Sequence, residues 1–569
     1  MVGSEQAEFL PAAASRHPIG NSMSEPRPDA TDSATSSSSP AAVQTWQNPP
    51  HSLGGIVRQL GPGLIIAGSI VGSGELIGTT KSGAEAGFWL LWLIIIGCVI
   101  KVFVQVEFGR YALNTGKATM AGLNEVPGPR FARANWILWY WLVMFLISLG
   151  QLGGIVGSVG EAMAITWPIT ERGRHYHETR ALEIERHTLV VRLTNREGAS
   201  APDSFPGNPD TATKAEFTGR IAEIDAALAK LGHAERGKDA EIWATIVTIA
   251  TSILLVVGRY TLIQNASTFL VAGFTLVTIV NLAALQTTDE WAVHLSDIVQ
   301  GLSFQLPQSG AGLATALATF GMIGVGANEL IAYPYWCLEK GYARNAGRLE
   351  QNAAWGQRAQ GWMRVMRWDA WCSMIVYTFA TVAFYLLGAA VLGRIGLAPA
   401  NEDLILTLCV MYQPVFGAWA MWLFLIGAFA VLYSTFFIAN AGHARVAADA
   451  AHVLGIVGKT PQARSRAVSI LSGLFPVICL LVYVAFPKPT TLVLLSGAMQ
   501  AVMLPMLAVA ALFFRYKRCD RRIMPGKIWD AFLWLSVAGL AIAGGWALWE
   551  TGNKFTDNRV GELLRDWLP

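Results

Sequence analysis

Two glutamates follow glycine-rich interruptions of long apolar segments and are the residues of this chain best suited to bind a cation. Glu75 belongs to VGSGELI (Val71–Ile77), and Glu329 belongs to VGANELI (Val325–Ile331), with five of the seven positions identical. Glycine costs a helix about 1 kcal/mol relative to alanine, so both clusters predict unwound backbone. A carboxylate beside unwound carbonyls supplies the hard oxygen ligands that Mg²⁺ and Mn²⁺ prefer.

Each glutamate also has a plainer explanation, which the sequence leaves open. Each would lie at the start of a resumed half-helix, where the helix dipole favours a negative charge. Glu75 could also form an ion pair with Lys81, and glycines pack between membrane helices without any ligand. However, an ionisable residue inside a membrane span costs about 2.5–3.5 kcal/mol on insertion scales and is by default a functional hypothesis.

The composition predicts that membrane-spanning helices carry both glutamates. Of the 569 residues, 53% are hydrophobic and 14% are charged, against about 25% charged in ordinary soluble domains. Hydropathy predicts eleven spans, near residues 60–85, 88–113, 136–167, 241–257, 262–285, 312–340, 369–394, 416–438, 467–486, 490–514 and 530–550. We expect the first to unwind around residues 72–74 and the sixth around 324–328. Two glycine-broken spans at corresponding places in two halves indicate the binding site of a secondary transporter.

The distribution of positive charge predicts the orientation. Lysine and arginine concentrate in every second connection, which places the N-terminus in the cytoplasm and, after an odd number of spans, the C-terminus outside. Residues 1–50, rich in Ser, Ala, Pro and Gly, predict a disordered cytoplasmic segment, and residues 55–550 predict the transmembrane domain. We therefore expect a multi-pass protein of the cell membrane, embedded in the lipid bilayer.

A polar insertion at residues 170–240 separates spans three and four. Arg180–Arg196 and Lys214–Leu231 carry apolar residues at helical spacing, with three prolines and a glycine between them. They predict an antiparallel helical hairpin on the extracytoplasmic side. Its surface is a candidate contact site for a protein partner.

Several motifs together resemble the natural resistance-associated macrophage protein (Nramp) family of divalent metal transporters. The resemblance covers residues 55–550 without the insertion and rests on GPG at 61–63, Arg110 followed by TGK at 115–117, and the broken sixth span. It implies an all-α integral membrane protein with a LeuT-type inverted repeat. That fold has five spans, five further spans and one more, about eleven transmembrane helices in all, with helices 1 and 6 broken.

The defining ligands of that family do not carry over to this chain. Counted from GPG, the family motif Asp-Pro-Gly-Asn falls on residues 72–75, so Gly72 takes the aspartate position and Glu75 the asparagine position. The motif Met-Pro-His-Asn falls on residues 325–328, where only Asn328 matches and Val325 takes the methionine position. The acidic positions of span three that the family links to proton movement fall on Gln151 and Gly154.

The expected metal site therefore consists of oxygen ligands. Its residues are Gly72, Glu75, Val325, Asn328 and Glu329, the glycine and the valine acting through unwound carbonyls. Without a soft sulfur ligand, the site suits Mg²⁺, or Mn²⁺ that keeps much of its water. We expect a secondary transporter that moves divalent cations of the Mn/Fe/Mg class by alternating access. The cation is the substrate, and we expect no cofactor and no nucleic-acid partner.

Two other functions stay open from the sequence. A transporter of an organic solute would hold an amine at Glu75 or Glu329 and a carboxylate at a positive half-helix end. A membrane sensor or scaffold without transport would display the 170–240 hairpin to a partner. We do not expect an enzyme, since the sequence contains no evident nucleophile–base pair or closed metal-ligand set.

Overall fold

Helices occupy every segment in which the sequence predicts a span. The computed structural model describes residues 46–194, 211–257, 260–307, 310–401, 403–458 and 460–555. Eight helices in these ranges are long and apolar enough to cross a membrane by themselves. They are span two (Leu91–Thr115), three (Trp136–Thr166), four (Asp239–Val257), seven (Ala353–Leu387), eight (Ala420–Val453), nine (Pro461–Ala485), ten (Pro489–Phe513) and eleven (Lys527–Phe555). The chain is a multi-pass membrane protein.

Span one is interrupted near its middle, and span five is continuous. Span one begins with Leu53–Gln59 and Pro62–Ile70, which are bent by 56° relative to each other. After a turn at residues 71 and 72 it continues as the π-helix Ser73–Thr79 and the α-helix Thr80–Ala86. Span five is the helix Tyr260–Leu285. The predicted interruption at residues 72–74 therefore falls at the observed turn and the start of the π-helix.

Span six is divided, but its break lies slightly earlier than predicted. Its two half-helices are Gly310–Phe320 and Ala327–Lys340, which leaves residues 321–326 outside the helix. Gly324 has a φ of +56°, a left-handed backbone conformation that residues other than glycine rarely adopt. The prediction that Asn328 belongs to the break is wrong. Asn328 lies in the first turn of the second half-helix, which starts immediately after Gly326.

Short elements connect the spans. They include the helices Thr119–Leu123, Leu295–Gly301, Tyr342–Ala346 and Leu404–Cys409, and a two-stranded antiparallel ribbon, Arg130–Phe131 with Ala134–Asn135. Short 3₁₀ and π segments lie at Gly388–Leu392, Gly393–Ile395, Val410–Tyr412, Gly417–Trp419, Phe514–Arg518 and Arg521–Ile523, with one further turn of α-helix at Gln413–Phe416.

The insertion between spans three and four contains two helices, Glu171–Thr194 and Thr211–Leu231. Arg186 of the first pairs with Asp225 of the second at 2.5 Å. His175, near the start of the first helix, contacts the carbonyl of the last residue of the second helix at 2.9 Å, so the two helices run antiparallel. The proline-rich connection expected between them (residues 195–210) and the predicted disordered residues 1–45 lie outside the described residues.

The first helix of this hairpin is attached to two connections of the membrane domain. Arg180 forms an ion pair with Asp403, which precedes the helix Leu404–Cys409. Arg192 pairs with Glu290, between spans five and six, at 2.6 Å. Charge-assisted bonds of this kind are stronger than bonds between neutral groups. The hairpin therefore lies against the membrane domain along one of its helices.

Candidate functional site

Asp369 of span seven fixes the start of the second helix of span one. Its carboxylate accepts hydrogen bonds from the backbone N–H groups of Gly61 (2.8 Å) and Gly63 (2.6 Å) and from the hydroxyl of Tyr333 in span six (3.1 Å). The first N–H groups of a helix have no partner inside the helix, and a carboxylate there also complements the helix dipole. Since Asp369 is only 1% exposed, spans one, six and seven are joined by one buried carboxylate.

Gly72 allows span eight to approach the break in span one. A Cβ at this position would lie 2.0 Å from Oγ1 of Thr435, so a larger residue would require one of the two spans to move. The carbonyl of Gly72 accepts the N–H of Leu76 at 2.8 Å. A carbonyl oxygen has two lone pairs, so this predicted ligand retains one for a cation.

Glu75 connects the two breaks. Its side chain is fully buried, and Oε1 accepts hydrogen bonds from the N–H of Gly324 (3.3 Å) and from the hydroxyl of Thr381 in span seven (3.3 Å). The other oxygen, Oε2, is buried without a hydrogen-bond partner among the described residues. Lys81 pairs with Glu85 at 2.7 Å, so the alternative of a Glu75–Lys81 ion pair is wrong.

Lys101 of span two places an ammonium group where the breaks of spans one and six meet, a place here called the junction. The residue is fully buried. Its Nζ donates to the carbonyls of Phe320 and Ile323, the second at 2.8 Å. The charge of Lys101 is attracted by the carboxylates of Glu75 and Glu329. We did not predict this residue from the sequence, although a single charge within the apolar run of span two was a visible signal.

Asn328 and Glu329 begin the second half of span six and contact other spans. The side-chain amide of Asn328 donates to Oγ of Ser148 in span three (3.0 Å), and its backbone N–H donates to Oε1 of Gln500 in span ten (3.4 Å). Oδ1 of Asn328 is buried and has no partner in the described part of the chain. The half-buried carboxylate of Glu329 folds back over Gly326, where a Cβ would lie 2.3 Å from Oε2.

A neutral amide pair replaces the acidic groups that the family resemblance implies for span three. Gln500 donates its amide to Oε1 of Gln151 at 2.6 Å, and Nε2 of Gln151 lies 3.9 Å from Sδ of Met322. Met322 therefore brings a thioether to the break in span six, three residues before the buried Val325. Counting from the family motif pointed only to position 325 and did not reveal this sulfur, and the prediction of a site built from oxygen ligands stays a prediction.

The predicted residues form two neighbouring groups along one break. Glu75 contacts the break from span one, whereas Asn328 and Glu329 face spans three and ten, and no hydrogen bond among the described residues joins the two groups. Across the described ranges, no cluster of three or more His, Cys, Asp and Glu side chains has the arrangement of a closed metal site. The groups suited to a hard cation are the free carboxylate oxygen of Glu75, the free amide oxygen of Asn328 and the carboxylate of Glu329.

Comparisons with known proteins agree with this arrangement of broken spans. Residues 220–550, more than half of the chain, match the family described as natural resistance-associated macrophage protein-like. Metal transporter Nramp2 of Oryza sativa subsp. japonica is 32% identical over 109 residues, which is 19% of each chain. Metal transporter Nramp3 of Arabidopsis thaliana is 31% identical over 117 residues, 21% of this chain and 22% of that protein. The chain thus matches about a fifth of the length of these relatives.

Solved structures extend the similarity over nearly the whole chain. A variant of the manganese transporter of Eremococcus coleocola has 12% identity and a TM-score of 0.57, covering 92% of this chain and 94% of that one. The same transporter with an aromatic bis-isothiourea substituted compound has 15% identity and a TM-score of 0.52, with the same coverage. The predicted all-α, LeuT-type inverted-repeat fold with broken first and sixth helices is confirmed. Because the family match covers most of the chain and the fold agrees, this protein belongs to the natural resistance-associated macrophage protein-like (Nramp) family.

Proposed function

We propose that this protein is a secondary transporter that moves divalent metal cations of the Mn/Fe/Mg class by alternating access. Membership of the Nramp family supports a transport function. The related plant proteins are named metal transporters, and the structural relative is a manganese transporter. We place the cation where the unwound parts of spans one and six meet, with Gly72, Glu75, Val325, Asn328 and Glu329 as ligands.

The observation that carries this proposal is a pair of buried oxygen atoms without partners, one on each broken span. Oε2 of Glu75 and Oδ1 of Asn328 accept no hydrogen bond from any described residue. Buried polar atoms are nearly always paired, because an unpaired one loses its interaction with water without compensation. A bound cation would supply the missing interaction for both atoms.

The ligand atoms near the breaks favour a hard divalent cation. Glu75 and Glu329 bring carboxylates to the breaks of spans one and six, and the ammonium of Lys101 lies close enough to both for electrostatic attraction. Carboxylate, amide and carbonyl oxygens suit Mg²⁺ and Mn²⁺. Met322 belongs to the break in span six, so a change in its side-chain rotamer would make a softer ligand available to Mn²⁺ or Fe²⁺.

Uptake into proteoliposomes tests this function. We expect saturable flux of at least one of Mn²⁺, Fe²⁺ and Mg²⁺ into vesicles containing the wild type, and a loss of that flux in Glu75→Gln. Glu161→Gln is the matched control, because Glu161 is also buried in a span and accepts the N–H of Ile405 at 2.9 Å, but neither of its oxygens is a buried atom without a partner among the described residues. Absence of flux for all three metals would refute metal transport and direct the search to amines and amino acids.

The membrane orientation is part of the same proposal. We place the N-terminus in the cytoplasm and the C-terminus and the 170–240 hairpin outside, in the cell membrane, with the hairpin open to a protein partner. Single cysteines introduced at the exposed positions Thr218, in the hairpin, and Lys117, after span two, test this placement. In intact cells a membrane-impermeant maleimide should label the first and spare the second. The opposite pattern would invert the orientation.

A further inference from the structure

The end of the first half-helix of span six offers two carbonyl oxygens to a cation. This half-helix ends at Phe320, and the chain continues through Ile323 to the left-handed Gly324. The last carbonyls of a helix have no N–H partner within it and carry the negative end of the helix dipole. The carbonyls of Phe320 and Ile323, here called the carbonyl site, therefore form a buried group of negative dipoles at the break in span six.

Lys101 fills this carbonyl site from span two. Its Nζ donates to both carbonyls, at 2.8 Å for Ile323, and lies 4.8 Å from the centre of the Phe320 ring. Span two reaches the break closely because it carries a glycine one turn earlier: a Cβ at Gly97 would lie 2.9 Å from Ile323 and from Phe320. The ammonium thus contacts two carbonyls and one aromatic face, and all of it is buried.

The groups around the Lys101 ammonium stabilise it in the way that a protein stabilises a bound cation. An ammonium buried inside the membrane is costly unless its charge is compensated. Here the compensation comes from the carbonyl site and from the carboxylates of Glu75 and Glu329. Lys81, the lysine of span one, has a different role, because it is only partly buried and pairs with Glu85.

We propose that the carbonyl site is a binding site for a monovalent cation, and that the ammonium of Lys101 occupies it permanently as a tethered ion. The site would accept an alkali cation or an alkylammonium ion if the tethered one were removed. Two consequences follow for the junction. The ammonium stabilises the break in span six, so no free cation is needed at the carbonyl site. The carbonyls of Phe320 and Ile323 are also not available to a transported substrate.

Chemical rescue of Lys101→Ala tests the proposal without any transport measurement. This substitution deletes three methylene groups and the ammonium, which n-propylammonium replaces atom for atom. Thermal unfolding of the purified full-length protein is followed with a thiol-reactive dye in N-methylglucamine buffer, then with n-propylammonium, ammonium, Na⁺ or K⁺ at equal ionic strength. We expect the apparent Tm of the variant to lie roughly 5 °C or more below that of the wild type, and n-propylammonium or an alkali cation to restore at least half of the loss.

Two controls separate a cation site from a simple cavity. Neutral n-propanol has the same length as n-propylammonium and should not restore stability, and Lys81→Ala should show no dependence on the cation. Equal rescue by n-propanol, rescue by no cation, or the same cation dependence in Lys81→Ala would overturn the proposal. The result does not depend on metal flux, so a failure of the proposed transport function would leave it interpretable.

A second pair of variants keeps the proposal testable if Lys101→Ala does not fold. Lys101→Met preserves volume but removes the charge, which leaves the Glu75 carboxylate buried without its counter-charge. Adding Glu75→Gln removes that carboxylate charge, so the double variant should unfold at a higher temperature than Lys101→Met alone. The single variant Glu75→Gln is measured as well. If the loss of unfolding temperature in the double variant equals the sum of the losses in Lys101→Met and Glu75→Gln, the ammonium is not electrostatically coupled to Glu75, and the tethered-ion proposal is wrong.

Discussion

Replacing Asp369 by asparagine should weaken the attachment of span one to spans six and seven. The carboxylate accepts three hydrogen bonds, from Gly61, Gly63 and Tyr333, at 2.8, 2.6 and 3.1 Å. Asparagine has one acceptor oxygen and one amide group, and the amide would point its donors at an N–H donor. At least one glycine N–H at the start of the helix is therefore left unpaired and buried.

The magnitude follows from the number and type of these bonds. A bond to a charged group contributes about 1.5–3 kcal/mol, and leaving a buried donor unpaired costs about 1–3 kcal/mol. We expect Asp369→Asn to lower the free energy of unfolding by about 2–4 kcal/mol. Asp369→Ala, which removes all three bonds, should lower it by about 5 kcal/mol. The matched control is Asp225→Asn, whose ion pair with Arg186 is exposed and screened by water, so its loss should change stability little.

The cysteines of this chain serve as the probe of unfolding in this measurement. Five of its six cysteines are buried and the sixth is half-buried, so a thiol-reactive dye reports unfolding directly. Titration with sodium dodecyl sulfate in mixed micelles then gives the difference in free energy between variants. The prediction is wrong if the free energy of unfolding of Asp369→Asn stays within about 0.5 kcal/mol of the wild type, or if Asp225→Asn lowers it as much as Asp369→Asn does. Either result would show that the Asp369 carboxylate does not hold the start of the second helix of span one.

Three further predictions concern the break in span one, the connection between spans ten and eleven, and the hairpin. Gly72→Ala should destabilise the protein, because its Cβ would lie 2.0 Å from Oγ1 of Thr435; Thr435→Gly in the same chain should recover part of the loss in thermal unfolding. The Arg522 guanidinium lowers the pKa of the Asp520 carboxyl, so this pair stabilises the fold above the unfolded pKa of about 4 and ceases to do so as the pH falls through the lower folded value. The stability difference between wild type and Asp520→Asn should therefore shrink in acid, and a constant difference would contradict the ion pair. Arg180→Ala should speed hydrogen exchange of the first hairpin helix by about tenfold, and unchanged exchange would show that this ion pair does not hold the hairpin.

Local sequence patterns predict the fold well because its main features are local. Long apolar runs specify the spans, and the glycines of the two related segments specify where spans one and six unwind. The break in span six begins at Gly321 and ends at Gly326, earlier than predicted, since the N-terminus of the resumed half-helix tolerates Asn328 and Glu329 in its first turn.

The candidate site is harder to predict because its residues are distant in sequence. Thr381 meets Glu75 from a position 306 residues away, and Gln500 meets Asn328 from 172 residues away. Neither has a local signal, since a threonine or glutamine within a span is common and its direction depends on packing. Lys101 is different: a lysine inside an apolar run was visible in the sequence, and only its partners, two backbone carbonyls of another span, required the structure.

Equilibrium binding of Mn²⁺ to the purified protein tests whether a cation binds where the two broken spans meet. The electron paramagnetic resonance signal of free Mn²⁺ reports the bound fraction for the wild type, Glu75→Gln and Glu161→Gln. We expect saturable binding to the wild type, an affinity lower by at least about tenfold in Glu75→Gln, and an unchanged affinity in Glu161→Gln. Equal binding by the wild type and Glu75→Gln, or a loss confined to Glu161→Gln, would show that the cation does not bind at the junction of the two broken spans.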